Sequence, residues 1–145
     1  MMEYLRVHLD SVQIYPNNTL YRVGGTIYFT IGDTCFPEEG WYDLISEDFP
    51  NWLPQIVSFA RNHTDICELC FMDGPAKVRL HRFDSVNISV TCIYNNEISV
   101  SQTDFDPVVF YKSIVNALGK YNRFLHENGV APQFTNEIAA LKGVF

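Results

Sequence analysis

Lysine and arginine are missing from 38 consecutive residues, Val23 to Ala60. The same stretch holds Asp33, Glu38, Glu39, Asp43, Glu47 and Asp48, together with Phe36, Trp41, Tyr42, Phe49 and Trp52. Carboxylates that only solvate a helix usually alternate with lysine. A block of uncompensated acids set among large rings instead suits a basic partner, which the field steers inward. Apolar runs are short, and none approaches the ~20 residues of a membrane-spanning helix. The start, MMEYLRVHLDSVQIY, has no apolar segment of the signal type and carries an acid at Glu3, so a cytoplasmic location is expected. The four cysteines, Cys35, Cys67, Cys70 and Cys92, are then expected as reduced thiols. The formal net charge of −7 argues against nonspecific nucleic-acid binding and against anionic membranes. No G-x-S-x-G, H-E-x-x-H, phosphate loop or dinucleotide fingerprint occurs, so no catalytic residue, cofactor or metal is assigned.

What the chain does contain is enough apolar material for a core: 47% hydrophobic and 14% aromatic residues over 145 positions, without a linker or repeat. The expectation is one α+β domain over residues 1–145, an antiparallel sheet of about six strands with helices packed on one side. Leu5, Val7 and Leu9 alternate with polar residues as a half-buried strand does, and Tyr15-Pro16-Asn17-Asn18 has turn chemistry. Gly24-Gly25 suggests a bulge or bend before Ile27, Phe29 and Ile31 share one face, and Gly32-Asp33 ends the strand. Between Trp41 and Ala60 the period becomes helical, and the stripe that starts at Leu44 is apolar apart from Asp48. Pro50 and Pro54 predict a break: a short helix ending near Asp48, then a second one capped by Asn51 and closed by Arg61-Asn62-His63.

Four strands follow, near Ile66–Asp73, Ala76–Phe83, Val86–Tyr94 and Ile98–Thr103, with connections short enough to force a meander. A three-residue loop after Tyr94 would pair Tyr94 with Ile98 and Cys92 with Val100, keeping apolar opposite apolar. Asp106-Pro107 opens the longest helix, whose stripe is Phe110, Ile114, Leu118, Tyr121 and Leu125 and whose end is Asn128-Gly129. Thr135 to Leu141 reads as a further short helix.

Cys67-Glu68-Leu69-Cys70 has C-x-x-C spacing, with His63 nearby, but residues three apart on a strand face opposite sides. Packed thiols are therefore expected rather than a metal or redox pair. Glu38, Glu39 and Asp43 are close enough to share a calcium ion, yet no D-x-D-x-D-G loop surrounds them. Lys77, Arg79 and His81 share a strand face, and pairing with the helix-region acids would neutralise them. Because Trp41, Tyr42 and Trp52 cannot all join the helix stripe, some are expected outward as interface anchors. A second reading is an enzyme or small-ligand binder, with Asp73, His81 and Tyr94 lining a pocket between the sheet and the Trp52 helix. A third is a homodimer through the last strand as a sheet edge.

Cys35-Phe36-Pro37, Trp41 and Asp43, Trp52-Leu53, and Phe71-Met72-Asp73-Gly74-Pro75 together resemble a pattern in small acidic bacterial proteins. Some of these look like immunity proteins of contact-delivered or secreted toxins. The resemblance covers about 40 residues. It implies a cytoplasmic inhibitor whose protein partner is a basic toxin domain, such as a nuclease, and it transfers no site residue. From the charge and ring pattern, Glu38, Glu39, Trp41, Asp43, Glu47 and Asp48 are expected as partner contacts.

Overall fold

The computed structural model describes residues 4–17, 20–85, 87–103 and 105–145. The chain runs β1 (Leu5–Asn17), β2 (Leu20–Ile31), β3 (Thr34–Phe36), β4 (Tyr42–Leu44), α1 (Ile45–Ala60), β5 (Ile66–Cys70), β6 (Ala76–Arg82), β7 (Ile88–Tyr94), β8 (Glu97–Gln102), α2 (Pro107–Glu127) and α3 (Thr135–Lys142). This is an α+β fold with two four-stranded antiparallel sheets rather than one sheet of about six strands. In the first, β1 flanks one side of the long β2, while β3 and β4 share its other side. The second is the expected meander, β5-β6-β7-β8. The sheets separate because α1 stands between β4 and β5, so those strands cannot meet as a hairpin. No helix among the described residues is long and apolar enough to cross a membrane.

Alternation sets the buried faces. Leu5, Val7 and Leu9 of β1, Ile27, Phe29 and Ile31 of β2, and Val78 and Leu80 of β6 all point into one continuous core with α1 and α2. The strand bulge lies in β1, not at the glycines: Ser11 and Val12 sit between the Asp10–Thr26 and Gln13–Gly24 pairs, and Ser11 has φ 52°. The glycines accommodate it. A side chain at Gly25 would press on the Asp10 carbonyl and on Ile45, and one at Gly24 would collide with Tyr42, whose hydroxyl bonds that of Tyr15. Tyr15, Pro16 and Asn17 belong to β1, and the rest of the expected turn, Asn18, lies outside the described residues.

The prolines do not divide α1, contrary to expectation. It is one 16-residue helix with Leu44 at its N-cap, and Asn51 lies inside it. Pro50 and Pro54 are four apart and both exposed, so the unbonded carbonyls one turn earlier fall on the solvent side. The buried face, including Phe49, Trp52, Leu53 and Ile56, outweighs the lost bonds. The helix ends as expected, with Asn62 at φ 62° and its N–H donating to Phe59. In α2, the Asp106 carboxylate accepts the Val108 N–H at 3.0 Å and Gly129 closes the helix at φ 75°.

The β7–β8 hairpin corrects the expected loop. Asn95 and Asn96 both take positive φ, 53° and 66°, making a two-residue turn that pairs Tyr94 with Glu97 and Ile93 with Ile98. A bulge at Ser99 then restores the Cys92–Val100 pair, so the core register survives the slip. Asn96→Ala removes the short polar side chain that eases the left-handed conformation at φ 66° and is expected to destabilise the fold by about 1 kcal/mol in urea titration. An unchanged midpoint would show that the turn does not need asparagine there.

Candidate partner-binding site

Between β3 and β4 the chain leaves the β2 edge as a turn. The Trp41 N–H donates to the Glu38 carbonyl at 3.2 Å and Gly40 sits at φ 78°, where glycine is favoured. The Ile27 N–H then donates to the Trp41 carbonyl at 2.8 Å, which re-anchors the chain to β2. This turn carries Glu38 and Glu39 into solvent, and Glu47 is exposed on the first turn of α1. Trp41 is half-buried, with its ring edge-on to Phe71 at 6.3 Å and against Gly74.

Asp43 and Asp48 are not at the surface; they are 2% and 1% exposed. The structure thus withdraws both from direct contact with a partner and places them beneath the turn. The Asp43 carboxylate accepts the Trp41 Nε1–H at 3.1 Å, the Leu44 N–H at 2.7 Å and the Asp73 N–H at 3.3 Å. Asp48 Oδ1 accepts the Met72 N–H at 2.9 Å, while its Oδ2 is buried without a partner. One turn further along α1, Trp52 Nε1–H donates to the Cys70 carbonyl at 2.7 Å. Asp48 and Trp52 therefore clamp both ends of the Cys70–Met72 segment, and Asp43 ties the following residue to Trp41.

Burial pushes the Asp48 carboxyl up to about 8, and the adjacent Asp43 charge adds to the shift against the Met72 N–H. In its neutral form Asp48 has a proton to donate toward Asp43, which satisfies the orphan Oδ2. A polar residue on the apolar stripe was the available signal for this buried acid. For Asp43 two donors, Trp41 and Leu44, are sequence neighbours, but the third is the N–H of residue 73, 30 positions away, and that contact has no local trace.

The rings divide. Phe36, Phe49 and Trp52 are buried, so they pack the core instead of meeting a partner, whereas Tyr42 is 43% exposed and Trp41 lies between. Trp41, Pro37 and Glu38 line a groove of about 400 Å³ with Tyr94 and Val100 of the second sheet. Exposed Met72 and Asp73 belong to the loop beneath which Asp43 and Asp48 sit. The space proposed for a ligand pocket at the Trp52 helix is filled, since Phe29, Phe49 and Phe71 all pack against Trp52 within 5.2–6.1 Å. Within the C-x-x-C segment, Cys67 faces the core and Cys70 faces out. Burial raises both thiols, Cys67 to about 12.

The sheet cations are engaged elsewhere. Glu68 on neighbouring β5 holds Arg79 at 2.8 Å and Lys77 at 3.4 Å. Burial alone raises its pKa, but these two cations outweigh burial and hold the carboxyl below its ordinary value. Arg82 reaches Asp65 at 3.9 Å and lies over the Phe59 ring. Comparison of the chain with family models, curated proteins and solved structures found no match.

Proposed function

We propose that this chain is a cytoplasmic binding protein, an immunity protein that blocks a cognate bacterial toxin, and that its partner is a basic toxin domain. Glu38, Glu39 and Glu47 supply the attracting charge. Trp41, Tyr94 and Met72 supply the contact surface, while Asp43 and Asp48 hold that surface in shape from below. One observation supports this reading above the others. Among the described residues the ion pairs use Glu68 and Asp65, so the exposed acids of residues 38–47 keep their field for a partner.

Uncompensated acids accelerate encounter, and half-exposed aromatic anchors slow release. The test is capture of the adjacent gene's product by the purified chain, followed by kinetics across salt. Glu38→Lys/Glu39→Lys/Glu47→Lys is expected to lower the association rate by roughly 10- to 100-fold at low salt, with thermal stability unchanged. Tyr94→Ala is expected mainly to speed dissociation. Capture indifferent to charge reversal would overturn the acidic-surface reading.

A further inference from the structure

The molecule's charge is unevenly distributed. Four of its ten lysines and arginines, Arg6, Lys112, Lys120 and Arg123, line one groove of about 630 Å³ between β1 and α2, with His8 and Asn116. No carboxylate lines it. β1 is the edge of the first sheet, and α2 closes that edge: the Val7 N–H donates to Ser113 Oγ at 3.0 Å, and that hydroxyl donates to the Phe110 carbonyl. The closure leaves the outward side chains of β1 facing a helical row. Lys112, Asn116, Lys120 and Arg123 follow one another at helical spacing, and Lys112 to Arg123 spans about 16 Å along the axis. None of the four cations has an ion-pair partner among the described residues.

Rings accompany the cations. Arg6 lies over Tyr4 at 5.5 Å, Lys112 over Phe145 at 5.6 Å, and His8 stacks on Tyr28 at 5.1 Å. Phe145 is 45% exposed. Burial holds the His8 imidazole below its ordinary pKa; Asp10 opposes that shift, and Lys120 and Arg6 add to it. The groove's charge at neutral pH therefore rests on the four long side chains. An acidic peptide would use the cations but has no need of the rings. A single-stranded nucleic acid uses both, phosphates on the cations and bases on the aromatic faces.

We infer that the β1–α2 groove binds the phosphate backbone of a single-stranded nucleic acid. The net negative charge does not prevent this, because ionic screening limits its reach to about 8 Å at physiological salt and the groove itself holds no acid. The site is distinct from the acidic surface, so the inference stands apart from the toxin-inhibitor reading.

Fluorescence anisotropy of the full chain with a labelled single-stranded oligonucleotide tests it. Saturable binding is expected, weakening roughly 50-fold between 50 and 200 mM salt, as about four single-strand phosphate contacts require. Lys120→Gln/Arg123→Gln is expected to weaken binding at least about tenfold and to flatten the salt slope by about 1.4. Both positions are exposed, and an unchanged melting curve separates lost binding from lost fold. Tyr4→Ala/Phe145→Ala is expected to weaken oligonucleotide binding about tenfold through lost stacking. Glu38→Lys/Glu39→Lys retains binding through the groove. Absence of binding at 50 mM salt overturns the inference. So does equal or tighter binding of the matching duplex, or displacement by poly-glutamate at equal charge.

Discussion

Asp48→Asn is expected to raise the melting temperature by roughly 5–10 °C at pH 8 and to leave it within about 2 °C of wild type at pH 4. The folded carboxyl titrates at about 8 against an ordinary 3.8, so the folded state keeps a proton that the unfolded chain releases throughout that window. Stability therefore falls as pH rises from about 4 to about 8, then levels off. The full gap corresponds to on the order of 5 kcal/mol at the alkaline end. Local relaxation around a buried charge lowers that penalty, so about 2–3 kcal/mol is expected at pH 8. Asparagine matches the neutral acid in shape. Its Oδ1 accepts the Met72 N–H as Asp48 Oδ1 does, and its amide donates toward Asp43 without a proton to lose.

The measurement is thermal unfolding of variant and wild type in parallel from pH 4 to 9, because their difference cancels the other titrating groups. Asp43→Asn removes the neighbouring negative charge, so in that background the Asp48→Asn gain should shrink. A gain equal at pH 4 and pH 8 would show that Asp48 is not the titrating group.

How far the chain could be read depended on whether the deciding interaction was local. β1, β2 and the meander follow from strict alternation, and α2 from an Asp-Pro start, a period of 3.6 and an Asn-Gly stop. The readings that failed weighed a local rule against a tertiary one. Proline chemistry split α1, but burial of Phe49, Trp52 and Ile56 holds it together. Facing apolar pairs favoured a three-residue hairpin loop, but the turn preference of Asn95-Asn96 prevailed and a bulge absorbed the difference.

The acid-rich stretch was visible as composition; its division into exposed Glu38, Glu39 and Glu47 and buried Asp43 and Asp48 was not. That division depends on N–H donors from residues 72 and 73. The basic groove was hidden for the same reason, since Val7 and Ser113 meet across 106 residues. Its local trace was an α2 that carries Lys112, Lys120 and Arg123 with no acid before Glu127.

The largest loss of stability is expected at Trp52, whose side chain is completely buried and touches both sheets. Its ring packs on Phe29 of β2 at 5.4 Å and edge-on to Phe71 at 5.2 Å, just beyond β5. Its indole N–H holds the Cys70 carbonyl at the end of that strand. Trp52→Ala opens a cavity where the sheets meet α1 and leaves a carbonyl unsatisfied, for a loss of about 4–5 kcal/mol. That is a large share of the ~5–15 kcal/mol typical of a domain. Trp52→Phe keeps much of the packing but not the bond, and should lose about half as much.

Urea unfolding followed by circular dichroism gives both values. Trp41, then the sole tryptophan, reports on the neighbouring site through Phe71. Because Asp48 and Trp52 hold the same segment one helical turn apart, the alanine variant should also red-shift Trp41 emission before global unfolding. If Trp52→Ala loses less than about 2 kcal/mol, or loses stability with Trp41 emission unmoved below the transition, the two sheets are joined by something other than this indole.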